Sequence, residues 1–169
     1  MIDPEDRPVR SGRVSPHNIE AEESLLGAML LSRDAIATAT ELCRAEHFYK
    51  PAHGHVFEAI AALHSGGEPA DPVTVSEELK RAGLLDAIGG PAVLVALQST
   101  APATSNARRY AEIIEELALL RSMINTAGEI AELGYSLPDD VEKAIDTAES
   151  MIFNLAQHRT STTTASVPS

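Results

Sequence analysis

Residues 106–133 read NARRYAEIIEELALLRSMINTAGEIAEL, the longest uninterrupted helix-compatible stretch of this chain. Apolar side chains recur along it at alternating spacings of three and four residues, which is typical of a helix that packs lengthwise on another helix. The recurring positions are Tyr110, Ile113, Leu117, Leu120, Ile124, Ala127 and Ala131. The stretch therefore predicts a long helix around which the rest of the chain is organised.

A second, shorter stretch, residues 138–157, repeats the same rhythm and predicts a partner helix. Gly134 is expected to end the first helix, and Pro138 to lie in the first turn of the second, where a missing N–H costs nothing. The two helices are predicted to form an antiparallel hairpin. The seam between them is expected to contain Ile113, Leu117, Leu120, Ile124, Val141, Ile145, Ala148, Ile152 and Leu155.

The long stretch carries a second apolar stripe, displaced from the first by roughly a third of a turn. Nearer its start this face is occupied by Glu112, Glu115 and Glu116, so only the distal half is apolar. These apolar side chains either tuck under their own subunit or contact a second copy of the chain, and their confinement to the far end favours the second copy. The candidate subunit interface is Leu119, Met123, Ile130, Leu133 and Phe153.

The composition predicts an all-α fold. Ala, Leu and Glu dominate, Val and Ile are sparse, and no clean period-two run is present. Because the chain has one cysteine, Cys43, it cannot form an internal disulfide. No positively charged start leads into an apolar segment, so we expect a cytoplasmic protein with no membrane partner.

The charge balance argues against direct DNA binding. Thirteen Lys and Arg oppose twenty-five Asp and Glu, which gives a net charge of −12. A surface of that sign repels phosphate backbones on average. We therefore expect little or no nucleic-acid binding by this chain alone.

Composition shifts divide the chain into four parts. Residues 1–16 are expected to form a disordered tail, because Pro4, Pro8 and Gly12 lie among charged residues with little to bury. Residues 17–104 are predicted to form a compact bundle of short helices, and residues 105–158 the helical hairpin. Residues 159–169 are rich in Ser and Thr and are expected to begin a linker to a further domain.

Start and stop signals predict five short helices in the bundle. The expected starts are Asn18, Ser32, Pro51, Asp71 with Pro72, and Pro91. A glycine pair at 66–67 and Gly83 mark two of the ends, and residues 99–105 separate the bundle from the long helix.

No catalytic, cofactor or metal residues are predicted. No Gly is followed by Lys, so the phosphate-cradling loop is absent, as are the dinucleotide and serine-hydrolase motifs. His53 and His55 are two residues apart and would point about 200° from each other on a helix, so they could not share a metal. We expect the backbone to satisfy His53, with His55 and His64 solvated. Asp139 and Asp140 are expected in the first turn of the last helix as structural residues.

A DNA-binding transcription regulator is the alternative hypothesis. Residues 75–84 resemble the first helix and turn of a helix-turn-helix motif. A recognition helix needs Arg, Lys, Gln or Asn side chains to reach bases and phosphates. Residues 91–97 offer none before Gln98, so this segment is predicted to be core and the hypothesis is disfavoured.

Five segments then point to one family. They are residues 16–22 (PHNIEAE), Leu26-Gly27, residues 48–53 (FYKPAH) followed by 57–60 (FEAI), residues 71–90 ending in Gly89-Gly90, and residues 106–124. In this order they resemble the N-terminal domain of bacterial replicative DNA helicases of the DnaB type. The resemblance is nearly continuous from Pro16 to about Ala156.

This resemblance implies a specific role. In that family a globular part and a helical hairpin are joined by a linker to a RecA-like motor, which uses ATP and magnesium to move 5′ to 3′ along single-stranded DNA. The domains dimerise through their hairpins, and three dimers form a collar over the motor hexamer. Primase docks on the collar, which also takes part in helicase-loader interactions. The chain is thus expected to be a non-catalytic collar domain without a cofactor of its own.

Overall fold

The computed structural model describes residues 13–165, and side chains only as far as His158. Within these residues the chain forms eight α-helices and two short 3₁₀ turns and contains no strand. The all-α prediction is confirmed. The helices are α1 (Ile19–Leu31), α2 (Arg33–Leu42), α3 (Pro51–Ser65), α4 (Pro72–Arg81), α5 (Leu85–Ile88), α6 (Pro91–Thr100), α7 (Ala107–Tyr135) and α8 (Val141–Ala165).

The five predicted starts of the short helices are confirmed, three of them by side-chain caps and two by a proline in the first turn. The Asn18 side chain accepts a hydrogen bond from the N–H of Ala21 at 2.9 Å, and the Ser32 hydroxyl accepts one from Ala35 at 3.2 Å. Asp71 caps α4 by accepting the N–H groups of the second and third helical residues, both at 2.9 Å. Such caps satisfy donors that the first turn of a helix leaves unbonded.

Helix α1 lies at the centre of the globular part. It packs against α2, α3, α6 and α7, and its Leu25, Leu26 and Met29 are fully buried. Gly27 allows the closest approach, because a Cβ at this position would lie 2.3 Å from the carbonyl oxygen of Leu97 on α6. The bundle is therefore assembled around one helix that is apolar on nearly all sides.

Helix α6 belongs to this core. Leu94 and Leu97 are buried, and the Gln98 amide donates to the Leu30 carbonyl oxygen at 3.2 Å. Gln98, the side chain that could have contacted DNA bases, is thus hydrogen-bonded to α1. The helix also continues to Thr100, two residues beyond the predicted end.

The turn between α7 and α8 differs from the prediction. Gly134 lies inside α7, and the residue with left-handed backbone is Leu137, with φ of +52°. Pro138 precedes α8, and Asp140 also lies outside it, where its side chain accepts the N–H of Lys143 at 3.0 Å. A capping aspartate, rather than the proline, therefore sets where α8 begins.

Two predicted terminal segments are only partly described. Residues 1–12 of the expected tail lie outside the described residues, whereas the carbonyl of Pro16 accepts a hydrogen bond from Arg121 at 2.7 Å. The α8 backbone is helical to Ala165, past the predicted start of the linker at residue 159. The last part of that linker, residues 166–169, again lies outside the described residues.

Candidate functional site

One face of α7 fastens the hairpin to the globular part. Its buried residues Ala107, Ala111, Ile114 and Ala118 recur at spacings of four and three. Small side chains on this face let α7 approach α1 and α2 closely, and the Cys43 thiol donates to the Ala111 carbonyl oxygen at 3.4 Å. Burial is the main cause that raises the pKa of Cys43 to about 12, so this thiol is a packing group and not a nucleophile.

The predicted seam is wrong for five of its nine residues. These five have between 43% and 65% of their surface exposed, which is incompatible with burial between two helices; they are Leu120, Ile124, Val141, Ile145 and Ile152. Of the other four, Ile113 packs partly against the globular core. Leu117, Ala148 and Leu155 are half-buried.

The structure places the residues of the predicted subunit interface in two different environments. Leu119, Ile130 and Leu133 are half-buried, whereas Met123 and Phe153 are 51% and 60% exposed. Leu119 lies beside Met151 and Leu155 of α8, and Ile130 and Leu133 follow it at helical spacings on the same face of α7. These three side chains thus lie toward α8 in the single subunit, and their contact with a second copy stays a prediction.

The angular positions of the side chains around α7 explain why predicted seam residues are exposed while predicted interface residues lie toward α8. At 100° per residue, Leu119 is turned by 100° and Leu120 by 200° from Ala118, which faces the core. Helix α8 packs on the Leu119 side, so Leu120 and the residues in line with it face solvent. Alternating spacing identifies residues that share a face but does not say which neighbour covers that face.

Six exposed residues of the hairpin make up a surface that we call the apolar ridge: Leu120, Met123, Ile124, Val141, Ile145 and Ile152. On α8, spacings of four and seven residues keep its members on one face. Leu120 and Met123 also line, with Ile152 and Leu155, an open groove of about 540 Å³ between the two helices. A patch of this kind indicates a contact surface for another protein.

The base of the hairpin is held by Arg121. Its guanidinium donates to the carbonyl oxygens of Pro16 at 2.7 Å and His47 at 2.6 Å, and it lies 5.6 Å from the centre of the Tyr49 ring. Tyr49 in turn stacks on His17 with ring centres 4.0 Å apart. Sequence reasoning missed this cluster, because its members are far apart along the chain and no periodic pattern connects them.

Sequence reasoning also missed a buried acid–histidine pair. The Glu22 carboxylate lies 2.7 Å from His53 Nδ1 and accepts the backbone N–H groups of Tyr49 at 2.6 Å and Lys50 at 3.4 Å. The expected backbone partner of His53 is therefore replaced by a carboxylate at the start of α3, where the helix dipole favours a negative charge. His55 and His64 are half-buried, not solvated as predicted.

A metal centre is not supported by the part of the chain that the structure describes. It contains no group of three or more His, Cys, Asp or Glu side chains arranged to hold an ion. No helix within residues 13–165 is long and apolar enough to cross a membrane. The most distinctive surface among the described residues is thus the apolar ridge.

Comparison with known families decides the relationship. The sequence profile of the DnaB-like helicase N terminal domain matches residues 14–116, more than half of the chain. The chain belongs to this family. The match runs through the globular part and into the first third of α7.

Full-length relatives are replicative DNA helicases. The chain is 45% identical over 152 residues to the replicative DNA helicase DnaB of Mycobacterium leprae, and 41% identical over 143 residues to that of Leifsonia xyli. The replicative DNA helicase DnaC of Bacillus subtilis is 39% identical over 147 residues. These alignments cover 85–89% of this chain but only 25–32% of the relatives, so this DnaB-type domain spans about a quarter to a third of their length.

Solved structures agree with this assignment. The N-terminal domain of DnaB helicase from Mycobacterium tuberculosis matches with a TM-score of 0.80 and 45% identity, covering 83% of this chain and 99% of that one. A DnaB-like replicative helicase, described with its interactions with primase, matches with a TM-score of 0.65 over 82% of this chain and 31% of that one. At 23% identity this second likeness shows the fold alone.

Proposed function

We propose that this DnaB-type domain is a non-catalytic assembly and docking module of a replicative helicase, and that its apolar ridge binds the ridge of a second copy. The observation that carries the proposal is the exposure of six large apolar side chains along both helices of the hairpin. In a two-fold dimer the same patch serves both subunits, so a single apolar surface is sufficient. Leu119, Ile130, Leu133 and Phe153 flank the ridge and would extend the contact.

The parent protein is proposed to unwind DNA 5′ to 3′ with ATP and magnesium bound by a motor domain outside this sequence. Three dimers would form the collar above that motor. The domain itself needs no cofactor in this role, and its charge of −12 argues against direct DNA binding. We place its action in the bacterial cytoplasm, where the replicative helicases of its relatives work.

Primase is the second proposed partner. Support comes from the structural neighbour described with its interactions with primase. The exposed surface of the globular part, the hairpin turn with Tyr135, and Phe153 are candidate contacts because these aromatic side chains are 83% and 60% exposed. Contact with a helicase loader is also proposed, on family membership alone.

Sedimentation of a ridge variant tests the dimer. Leu120→Glu with Ile152→Glu places two charges per subunit at the centre of the contact, which would weaken association at least about a hundredfold while leaving helical content intact. Val73→Glu is the matched control, because Val73 is 73% exposed on α4, outside the hairpin. The measurement is sedimentation equilibrium with circular dichroism on the same samples.

A second pair of variants tests the boundary of the contact. Met123→Glu with Ile130→Glu joins one ridge residue and one half-buried residue on the α8 side, and we expect it to weaken the dimer as well.

If the Leu120→Glu, Ile152→Glu protein associates like the parent, the ridge is not the dimer surface. Light scattering with added primase would then show whether the ridge receives primase instead.

A further inference from the structure

A polar cavity of about 530 Å³ lies where the globular part meets the hairpin. Four basic side chains line it: Arg44 and His47 from the segment between α2 and α3, Arg121 from α7, and His158 from α8. Ser122 and Asn125 of α7 add a hydroxyl and an amide to the wall. Two of these side chains, Arg44 and Arg121, carry a permanent positive charge in a chain with a net charge of −12.

The positive charge of Arg121 is held in place but not neutralised. Its two recorded hydrogen bonds go to carbonyl oxygens, and among the described residues neither Arg121 nor Arg44 forms an ion pair with a carboxylate. The bonds to Pro16 and His47 and the Tyr49 ring fix the guanidinium at the wall of the cavity. A fixed guanidinium that has no carboxylate in salt-bridge contact among the described residues, beside an open cavity, favours an anionic ligand.

His47 also lines this cavity. Its Nδ1 accepts the backbone N–H of Arg44 at 3.0 Å, so the neutral ring carries its proton on Nε2. Burial, together with the charges of Arg44, Arg121 and His158, lowers the pKa of His47, while Glu46 opposes the shift. An anion in the cavity would remove this repulsion and favour the protonated ring.

The geometry points to a binding site in this cavity for a small organic phosphate, held by Arg44 and Arg121 with Ser122 and Asn125 as donors. The volume lies in the range of small-molecule sites. A long nucleic acid is disfavoured, because a chain with a net charge of −12 repels phosphate backbones on average.

Nearby carboxylates limit where the phosphate can lie. Glu46 lines the cavity itself, and Glu115 and Glu129 line an adjoining groove of about 320 Å³ that shares His47 and His158. Burial, followed by the charges of Glu116 and Glu112, raises the pKa of Glu115. The phosphate therefore belongs on the Arg44 and Arg121 side.

Calorimetric titration with inorganic pyrophosphate tests the site in the 169-residue chain at low ionic strength. We expect saturable binding of one pyrophosphate per subunit. Arg44→Gln removes an exposed charge without touching the core and would raise the Kd at least about tenfold. Arg33→Gln, at another exposed arginine, this one on α2, is the charge-matched control and would leave the Kd within about twofold.

Proton NMR supplies a second readout. Saturating pyrophosphate is expected to raise the pKa of His47, whereas His64, which does not line the cavity, would not move. Absence of saturable binding, or equal loss of affinity in the Arg33→Gln and Arg44→Gln proteins, overturns the proposal. So does tighter binding of a single-stranded oligonucleotide that Arg44→Gln abolishes, because the site would then serve nucleic acid.

Discussion

The globular part and the hairpin treat the same residue types in opposite ways. In α1, Leu25 and Leu26 have no exposed surface, whereas in α7 Leu120 is 43% exposed and neighbouring Ile124 is 48% exposed. Both helices are long enough and apolar enough to bury a full face. The difference is that α1 packs against four other helices, whereas the buried residues of α7 end at Ala118.

This contrast teaches that the two regions have different tasks. Burial in the globular part contributes to folding of the single subunit, since each buried leucine removes apolar surface from water. The apolar ridge contributes little to the subunit and is available to a second protein. Changes in the two regions should therefore alter different measurable quantities.

The largest expected difference in stability is between a leucine-to-alanine change in the globular part and the same change in the hairpin. We expect Leu25→Ala to lower the free energy of unfolding by about 2–5 kcal/mol, because it leaves a cavity in a fully packed site. Leu120→Ala should cost about 0.5 kcal/mol or less. Urea unfolding, at dilutions where both proteins are monomeric, measures the two values.

Equal costs at the two positions would erase the distinction between core and ridge. The same samples at higher concentration provide the complementary test. There Leu120→Ala should weaken association, and Leu25→Ala should not.

The buried carboxylate should give the next largest effect. Glu22→Gln keeps the shape but loses charge-assisted bonds to the Tyr49 N–H and to His53, at an expected cost of about 1–3 kcal/mol. Glu116→Gln on the exposed side of the hairpin is the counterpart and should change stability by no more than about 0.5 kcal/mol. Thermal unfolding of both variants would show the difference. If Glu22→Gln left the stability unchanged, this pair would not be needed to start α3.

The smallest expected effect is on the pH dependence of the folding stability. Because the pKa of His47 is lowered from its ordinary value of 6.5, the unfolded chain binds this proton more readily than the folded one. The contribution of His47 to stability is therefore complete above pH 6.5 and declines as the pH falls below it. His47→Asn, which retains an acceptor for the Arg44 N–H, should lose less stability between pH 7.5 and 5.5 than the parent.

Phosphate-free buffer is needed for this comparison, because an anion in the cavity would oppose the lowered pKa. His64→Asn is the control and should leave the pH dependence of the parent unchanged. An identical pH dependence in the parent and the His47→Asn protein would contradict the predicted role of the ring.

Local sequence signals predicted where the short helices begin, but not which distant residues contact each other. Asn18, Ser32 and Asp71 were identified correctly as caps, because a cap depends on residues within one turn. The pairing of Glu22 with His53 joins residues 31 positions apart, and no local pattern encodes it. The turn after α7 was misplaced because Gly134 resembles a helix stop although Leu137 adopts the left-handed conformation.

By itself the sequence determined the all-α class, the order of the helices, the membership in the DnaB-like family and the presence of two apolar stripes on α7. Only the tertiary structure decided which stripe faces α8 and which faces solvent. The physical reason is that periodicity specifies the angle between side chains on one helix, whereas burial depends on where the other helices pack. The Arg121 cluster and its cavity arise in the same way, from contacts between distant parts of the chain.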